Sequence, residues 1–97
     1  MAIIAFDVDY TLVNSMNAPL FANIDILRWF LTRGHRIIIW SGGGKDYAEM
    51  WCRKLGFDRP PYDVICSEKT KEAAAELKPD ICFDDEMVDL AKVNIQI

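Results

Sequence analysis

The sequence carries no surplus of basic charge. Its 11 lysines and arginines face 15 aspartates and glutamates, a formal net charge of −4. A pI near 4.8 is poor equipment for gripping a phosphate backbone, so nucleic acid is not the expected partner, while a small phosphorylated ligand stays open. No apolar run approaches the ~20 residues of a membrane span, which argues against a membrane partner. The first residues, Met1-Ala2-Ile3-Ile4-Ala5-Phe6-Asp7, lack the basic start and long apolar stretch of a signal peptide, and a cytoplasmic location is expected. Cys52, Cys66 and Cys82 are odd in number and show no CxxC spacing. They read as reduced, mostly buried thiols. The single histidine, His35, follows Gly34 in a turn, and no cysteine has a His–Asp arrangement that would make it a nucleophile. Repeats, linkers and charge blocks are also missing.

What is present is a small, apolar-rich chain. Its 97 residues fit one domain, residues 1–97, and 52% hydrophobic content lets so short a chain build an efficient core. Apolar runs alternate with amphipathic stretches. Ile3–Asp9 is a short apolar run ending in acid, expected as a buried strand. Tyr10–Asn23 is a polar connection. Ile24–Thr32 is expected as a helix with Asp25 in its first turn and Arg33-Gly34 at its close. Arg36–Trp40 holds three consecutive isoleucines, a second buried strand. Ser41–Gly44 is a loop, and Lys45–Leu55 a helix stopped by Gly56. Tyr62–Cys66 is expected as the third strand and the alanine-rich Glu68–Leu77 as the third helix. Asp80–Asp84 follows as a fourth strand, Glu86–Ala91 as a helical turn and Val93–Ile97 as a fifth strand. Alternation of this kind signals an α/β domain with a parallel sheet covered on both faces.

In such sheets ligands bind at the carboxyl ends of the strands. The first strand ends in Asp7-Val8-Asp9-Tyr10-Thr11, the second in Ser41-Gly42-Gly43, the third in Ser67-Glu68-Lys69 and the fourth in Asp84-Asp85-Glu86. Residues i and i+2 share a face of a strand, so Asp7 and Asp9 would face one site. Two carboxylates about 4 Å apart repel by roughly 4 kcal/mol at an effective dielectric of 20. Asp7, Asp9, Asp84 and Asp85 therefore need a proton, a lysine or a metal beside them. An all-oxygen donor set with few carboxylates suits Mg²⁺. Ser41 and the amides that follow it open a helix and would cradle a phosphate. The inventory is that of phosphoryl transfer, with one aspartate as nucleophile and a second trading protons.

These residues resemble the motifs of the haloacid dehalogenase-like superfamily. Asp7-Val8-Asp9-Tyr10-Thr11 is similar to its DxDxT signature, and Ile37-Ile38-Ile39-Trp40-Ser41 to its second motif, an apolar strand ending in Ser or Thr. Asp84-Asp85-Glu86-Met87-Val88-Asp89 is similar to its DDxxxD form. The lysine of the remaining motif falls at Lys69 or Lys71, with Lys69 preferred because it directly follows the third strand. The likeness runs from about Ile3 to Asp89. It implies a Rossmann-like three-layer α/β/α sandwich with parallel strand order 5-4-1-2-3, and the chain is too short for a cap domain. It further implies a Mg²⁺-dependent phosphohydrolase, with Asp7 forming an aspartyl-phosphate and Asp9 as general acid and base. Lys69 would steady the charge. Thr11, Ser41 and Gly42 would bind the phosphoryl group. Mg²⁺ would sit on Asp7, Asp84 and the backbone carbonyl of Asp9, with Asp85 and Asp89 holding that shell from outside. Position 10 departs from the pattern, carrying Tyr where the family usually has Gly.

Three other readings compete. A P-loop fails, because Ser41–Lys45 lacks the required upstream glycine and Asp46 stands where Ser or Thr should follow. A receiver domain would place its phosphorylated aspartate after the third strand, where this chain has Cys66-Ser67. A non-catalytic binding or assembly protein on the same scaffold is the stronger alternative. With no cap, the site should be open. It would take a phosphorylated substrate of unspecified identity, or be closed by a second copy in a homo-oligomer.

Overall fold

A computed structural model describes residues 1–97. The elements follow in the order β1 (Ile3–Asp7), α1 (Phe21–Thr32), β2 (Arg36–Ser41), α2 (Lys45–Lys54), β3 (Val64–Glu68), α3 (Lys71–Leu77), β4 (Ile81–Asp84) and β5 (Val93–Gln96). The five strands form one sheet in the order β3-β2-β1-β4-β5, with every neighbouring pair parallel. The chain winds outward from β1 to β3, then returns across the sheet through α3 to place β4 against the free side of β1. The winding direction therefore reverses between β1 and β4, the place where such sheets open a crevice.

Strand alternation sorts the apolar side chains onto two faces. Ile4, Phe6, Ile37 and Ile39 join Ile24 and Leu27 of α1 and Ala48, Trp51 and Cys52 of α2 in the larger core. Ala5, Ile38, Trp40 and Cys82 form the smaller one on the opposite face, covered by Ala74 and Leu77 of α3 and by Val88, Leu90 and Ala91. Both faces of the central strands are thus buried, which is why β2 is apolar at successive positions rather than at alternate ones.

Several boundaries differ from the sequence expectation. Helix α1 starts at Phe21, so Asp25 lies past its first turn. Strand β3 is shifted two residues onward, because Val64-Ile65-Cys66 pair with Ile37-Ile38-Ile39 and the ladder continues through Ser67 and Glu68. Polar residues are tolerated there because β3 is an edge strand. Helix α3 then begins only at Lys71, with Thr70 as its N-cap accepting from the Ala73 amide at 3.0 Å. The expected turn of helix over Glu86–Ala91 does not form. The Asn94 side-chain oxygen accepts from the Leu90 and Ala91 amides, each at 3.0 Å, replacing the i−4 carbonyls that a helix would supply.

Helix α3 ends on Lys78 in the left-handed region, φ 51°, with its amide bonded to the Ala74 carbonyl. A side chain at this position works against the backbone, and glycine is its natural occupant. Lys78→Gly is expected to stabilise the fold by about 1 kcal/mol, roughly 4–8 °C in Tm for a domain of this size. Thermal unfolding followed by circular dichroism checks this, and an unchanged or lowered Tm would refute it.

Candidate functional site

The crossing at β1 and β4 places acid against acid. The register pairs Phe6 with Phe83, so the next step brings Asp7 opposite Asp84 at the ends of their strands. Both are buried, at 4% and 1% exposure. Asp85 joins them, and one carboxylate oxygen from each of Asp7, Asp84 and Asp85 lies within 4.8 Å of the others. At that spacing each ionised pair repels by about 3–4 kcal/mol at an effective dielectric of 20. Lys69 supplies the counter-charge. Its Nζ donates to Asp7 Oδ1 and to Asp84 Oδ2, both at 3.0 Å.

Three negative charges against one positive leave the cluster short by two. The protonation equilibria register the deficit. Burial raises the Asp7 carboxyl to about 6, the Lys69 hydrogen bond pulls it back only in part, and Asp84 and Asp85 push it up further. Asp85 is raised too, by burial first and then by its hydrogen bond with, and the charge of, Asp84. At Lys69 burial alone would lower the ammonium, but hydrogen bonds from it to Asp84 and Asp7 outweigh burial and hold it above its ordinary value. A trio of carboxylates, two buried and one half-buried, lacking two positive charges fits a hard divalent cation.

The cluster opens into a cleft of about 300 Å³ bordered by Asp7, Asp9, Tyr10, Lys69, Asp85 and Glu86 and by Ser41, Gly42 and Gly43. Ser41 is buried, its Oγ accepting from the Gly43 amide at 3.0 Å and its carbonyl accepting from the Lys69 amide at 2.8 Å. That second bond ties the last residue of β2 to the residue after β3, fixing Lys69 where it spans the two aspartates. Gly44, at φ 108°, turns the chain into α2, a conformation that a Cβ would resist.

Of the residues singled out in the sequence, Asp7, Asp84, Lys69, Ser41 and Gly42 come together here, and Asp85 stands within the carboxylate trio rather than outside it. Lys69, not Lys71, enters the cluster. Lys71 opens α3 and lines a separate depression. Asp9 borders the same cleft as Asp7, but its carboxylate stands outside the trio, because β1 ends at Asp7 and the exposed Asp9 accepts from the Tyr47 hydroxyl at 2.6 Å. Two expectations are corrected. Thr11 does not border the cleft. It is fully buried, and its Oγ1 has no hydrogen-bond partner. Asp89 is exposed and borders the depression shared with Lys71 and Lys92, because no helix forms after Asp85 to carry it back. Sequence reasoning placed Gly43 and Glu86 at the strand ends without giving either a role of its own, and it missed Tyr47. The only signal for Tyr47 was its place in the first turn of the helix that follows the glycine loop.

The raised Asp7 carboxyl makes metal-free stability depend on pH. The folded state holds this proton up to about pH 6 and the unfolded state only to about 3.8. Stability from this group is therefore full below pH 4 and lost as pH rises through 6. Asp7→Asn removes that loss, on the order of 2–3 kcal/mol. In EDTA the variant is expected to out-melt the wild type at pH 7 and to match it more closely at pH 4.5. A constant Tm difference across that range would sink the assignment. Comparison with protein-family models, with curated proteins and with solved structures finds no match to this chain, so the site is read on its own geometry.

Proposed function

We propose that this chain is a Mg²⁺-dependent phosphohydrolase of the haloacid dehalogenase-like kind, working through an aspartyl-phosphate on Asp7. The observation that carries the reading is the Asp7 carboxylate held by Lys69 at the β1–β4 switch, at the foot of a cleft that faces the Ser41–Gly43 loop. Mg²⁺, held by Asp7, Asp84 and Asp85 with the Asp9 carbonyl, would neutralise the carboxylates and polarise the phosphoryl oxygens.

The chain's own residues supply the rest. Backbone amides of Gly42 and Gly43 and the Ser41 hydroxyl orient the phosphoryl group. An Asp7 oxygen attacks phosphorus as the bond to the leaving oxygen breaks. Asp9 gives a proton to that oxygen, then takes one from the water that cleaves the aspartyl-phosphate and restores Asp7. Lys69 keeps the Asp7 carboxylate oriented and partly compensated throughout. The cleft is open, with no cap above it, so bulky phosphorylated substrates have access.

A second reading has one observation in its favour. The Asp9 carboxylate already accepts the Tyr47 hydroxyl at 2.6 Å, as it would in a binding module that keeps the cation and lacks turnover. Hydrolysis of p-nitrophenyl phosphate separates the two. The wild type should turn over with Mg²⁺ and stop in EDTA. Asp7→Asn should fall to background, and Asp9→Asn should lose about 10²–10⁴-fold. Mg²⁺ binding by calorimetry without turnover in the folded wild type would reject the enzyme and favour the binding module.

A further inference from the structure

Outside the carboxylate cluster, the molecule places two nucleophiles side by side. Cys52, on the sheet-facing side of α2, is buried at 3% exposure in the larger core. Cys66, at the centre of β3, is half-buried and packs against the same core. Both border one surface cleft of about 570 Å³, beside Lys45, Glu49, Arg53 and Asp58. Both are free thiols.

Their chemistry is unequal. The neighbouring Cys52 thiol lowers the Cys66 thiol from its ordinary range. Burial and Glu49 oppose that shift, while Lys45 and Arg53 assist it. The same pairing, followed by burial, raises Cys52. Cys66 is thus the more exposed and more readily ionised sulfur, and Cys52 the hidden one behind it, the division of labour that thiol–disulfide exchange requires. Cys82 lies in the other core, fully buried, and burial with the Asp84 charge pushes its thiol up to about 12.

We propose that Cys52 and Cys66 form a reversible disulfide, which makes the seam between α2 and β3 a thiol-oxidation site for small-molecule disulfides. The Cys66 thiolate attacks one sulfur of the small disulfide, forming a mixed disulfide and expelling one thiolate. Cys52 then attacks the Cys66 sulfur, forming the intramolecular bond and expelling the second. The protein loses two electrons and two protons, and the small disulfide is reduced to two thiols. The bridge joins the helix that carries Tyr47 to the strand that leads into Lys69. The inference stands apart from the phosphohydrolase reading, since its test reads thiols rather than turnover.

The test treats the folded wild type with oxidised glutathione, blocks remaining thiols with iodoacetamide and maps tryptic peptides by mass spectrometry. The expected product links Asp46–Arg53 to Leu55–Lys69, loses two hydrogens in intact mass, reverts with dithiothreitol and leaves Cys82 out of the bridge. Cys52→Ser should stop at the mixed disulfide on Cys66, and Cys66→Ser should form no bridge. A wild type that keeps a stable mixed disulfide on Cys66, or that leaves both thiols free, overturns the proposal without reliance on any variant.

Discussion

The Lys69 ammonium between Asp7 and Asp84 is the interaction on which the rest of the site depends. It is the only cation paired with the buried carboxylates, and each bond is 3.0 Å. Removing it would leave two buried strand-end carboxylates with no paired cation, only the Glu86 amide still donating to Asp84 at 3.0 Å, and an uncompensated buried charge costs several kcal/mol. The backbone holds it in place. The Lys69 amide is bonded to the Ser41 carbonyl, so the residue that carries the cation is anchored to the end of β2, the strand beside β1. Position and charge therefore come from different elements, β2 and β3 for the lysine, β1 and β4 for the acids.

The sheet order produces that convergence. Because the chain reverses its winding between β1 and β4, two central strands end side by side with no helix covering their tips. The cores on the two faces hold those strands rigid. Phe6 stacks on Phe83 at 4.9 Å between centroids, one residue before the paired aspartates and on the opposite face of the sheet, so the two strand ends are held together from behind the acids. The Asp80 carboxylate fixes the opposite end, accepting from the Ile3 amide at 2.8 Å. A site assembled from strand ends in this way is placed by the core and needs little help from the loops.

Much of this was legible in the sequence, for identifiable reasons. Three consecutive β-branched isoleucines at 37–39, bounded by Gly34 and Gly42, favour a strand buried on both faces, and an apolar run ending in Asp7 or in Asp84 marks where chemistry collects. What escaped was governed by contacts between distant residues. Asn94 captures the Leu90 and Ala91 amides, so the helical spacing that would have carried Asp89 back to the site never arises. The Val8 carbonyl accepts from the amides of Thr11, Leu12 and Val13, which ends β1 at Asp7 and turns Asp9 outward. Tyr47 finds Asp9 across 38 positions of sequence, with no periodic pattern linking them.

That turn after β1 also settles an electrostatic choice. Tyr10 is held at φ 63°, in the left-handed region, by a 2.7 Å bond from its amide to the Val13 carbonyl. A residue with a Cβ pays roughly 1–2 kcal/mol for that conformation. The alternative, an extended strand through Asp9, would have brought a fourth carboxylate toward three others already short of positive charge. Each new pair at comparable spacing would cost about 3–4 kcal/mol. The strained turn is the cheaper solution. It leaves Asp9 on the border of the cleft, exposed and bonded to the Tyr47 hydroxyl, outside the carboxylate trio.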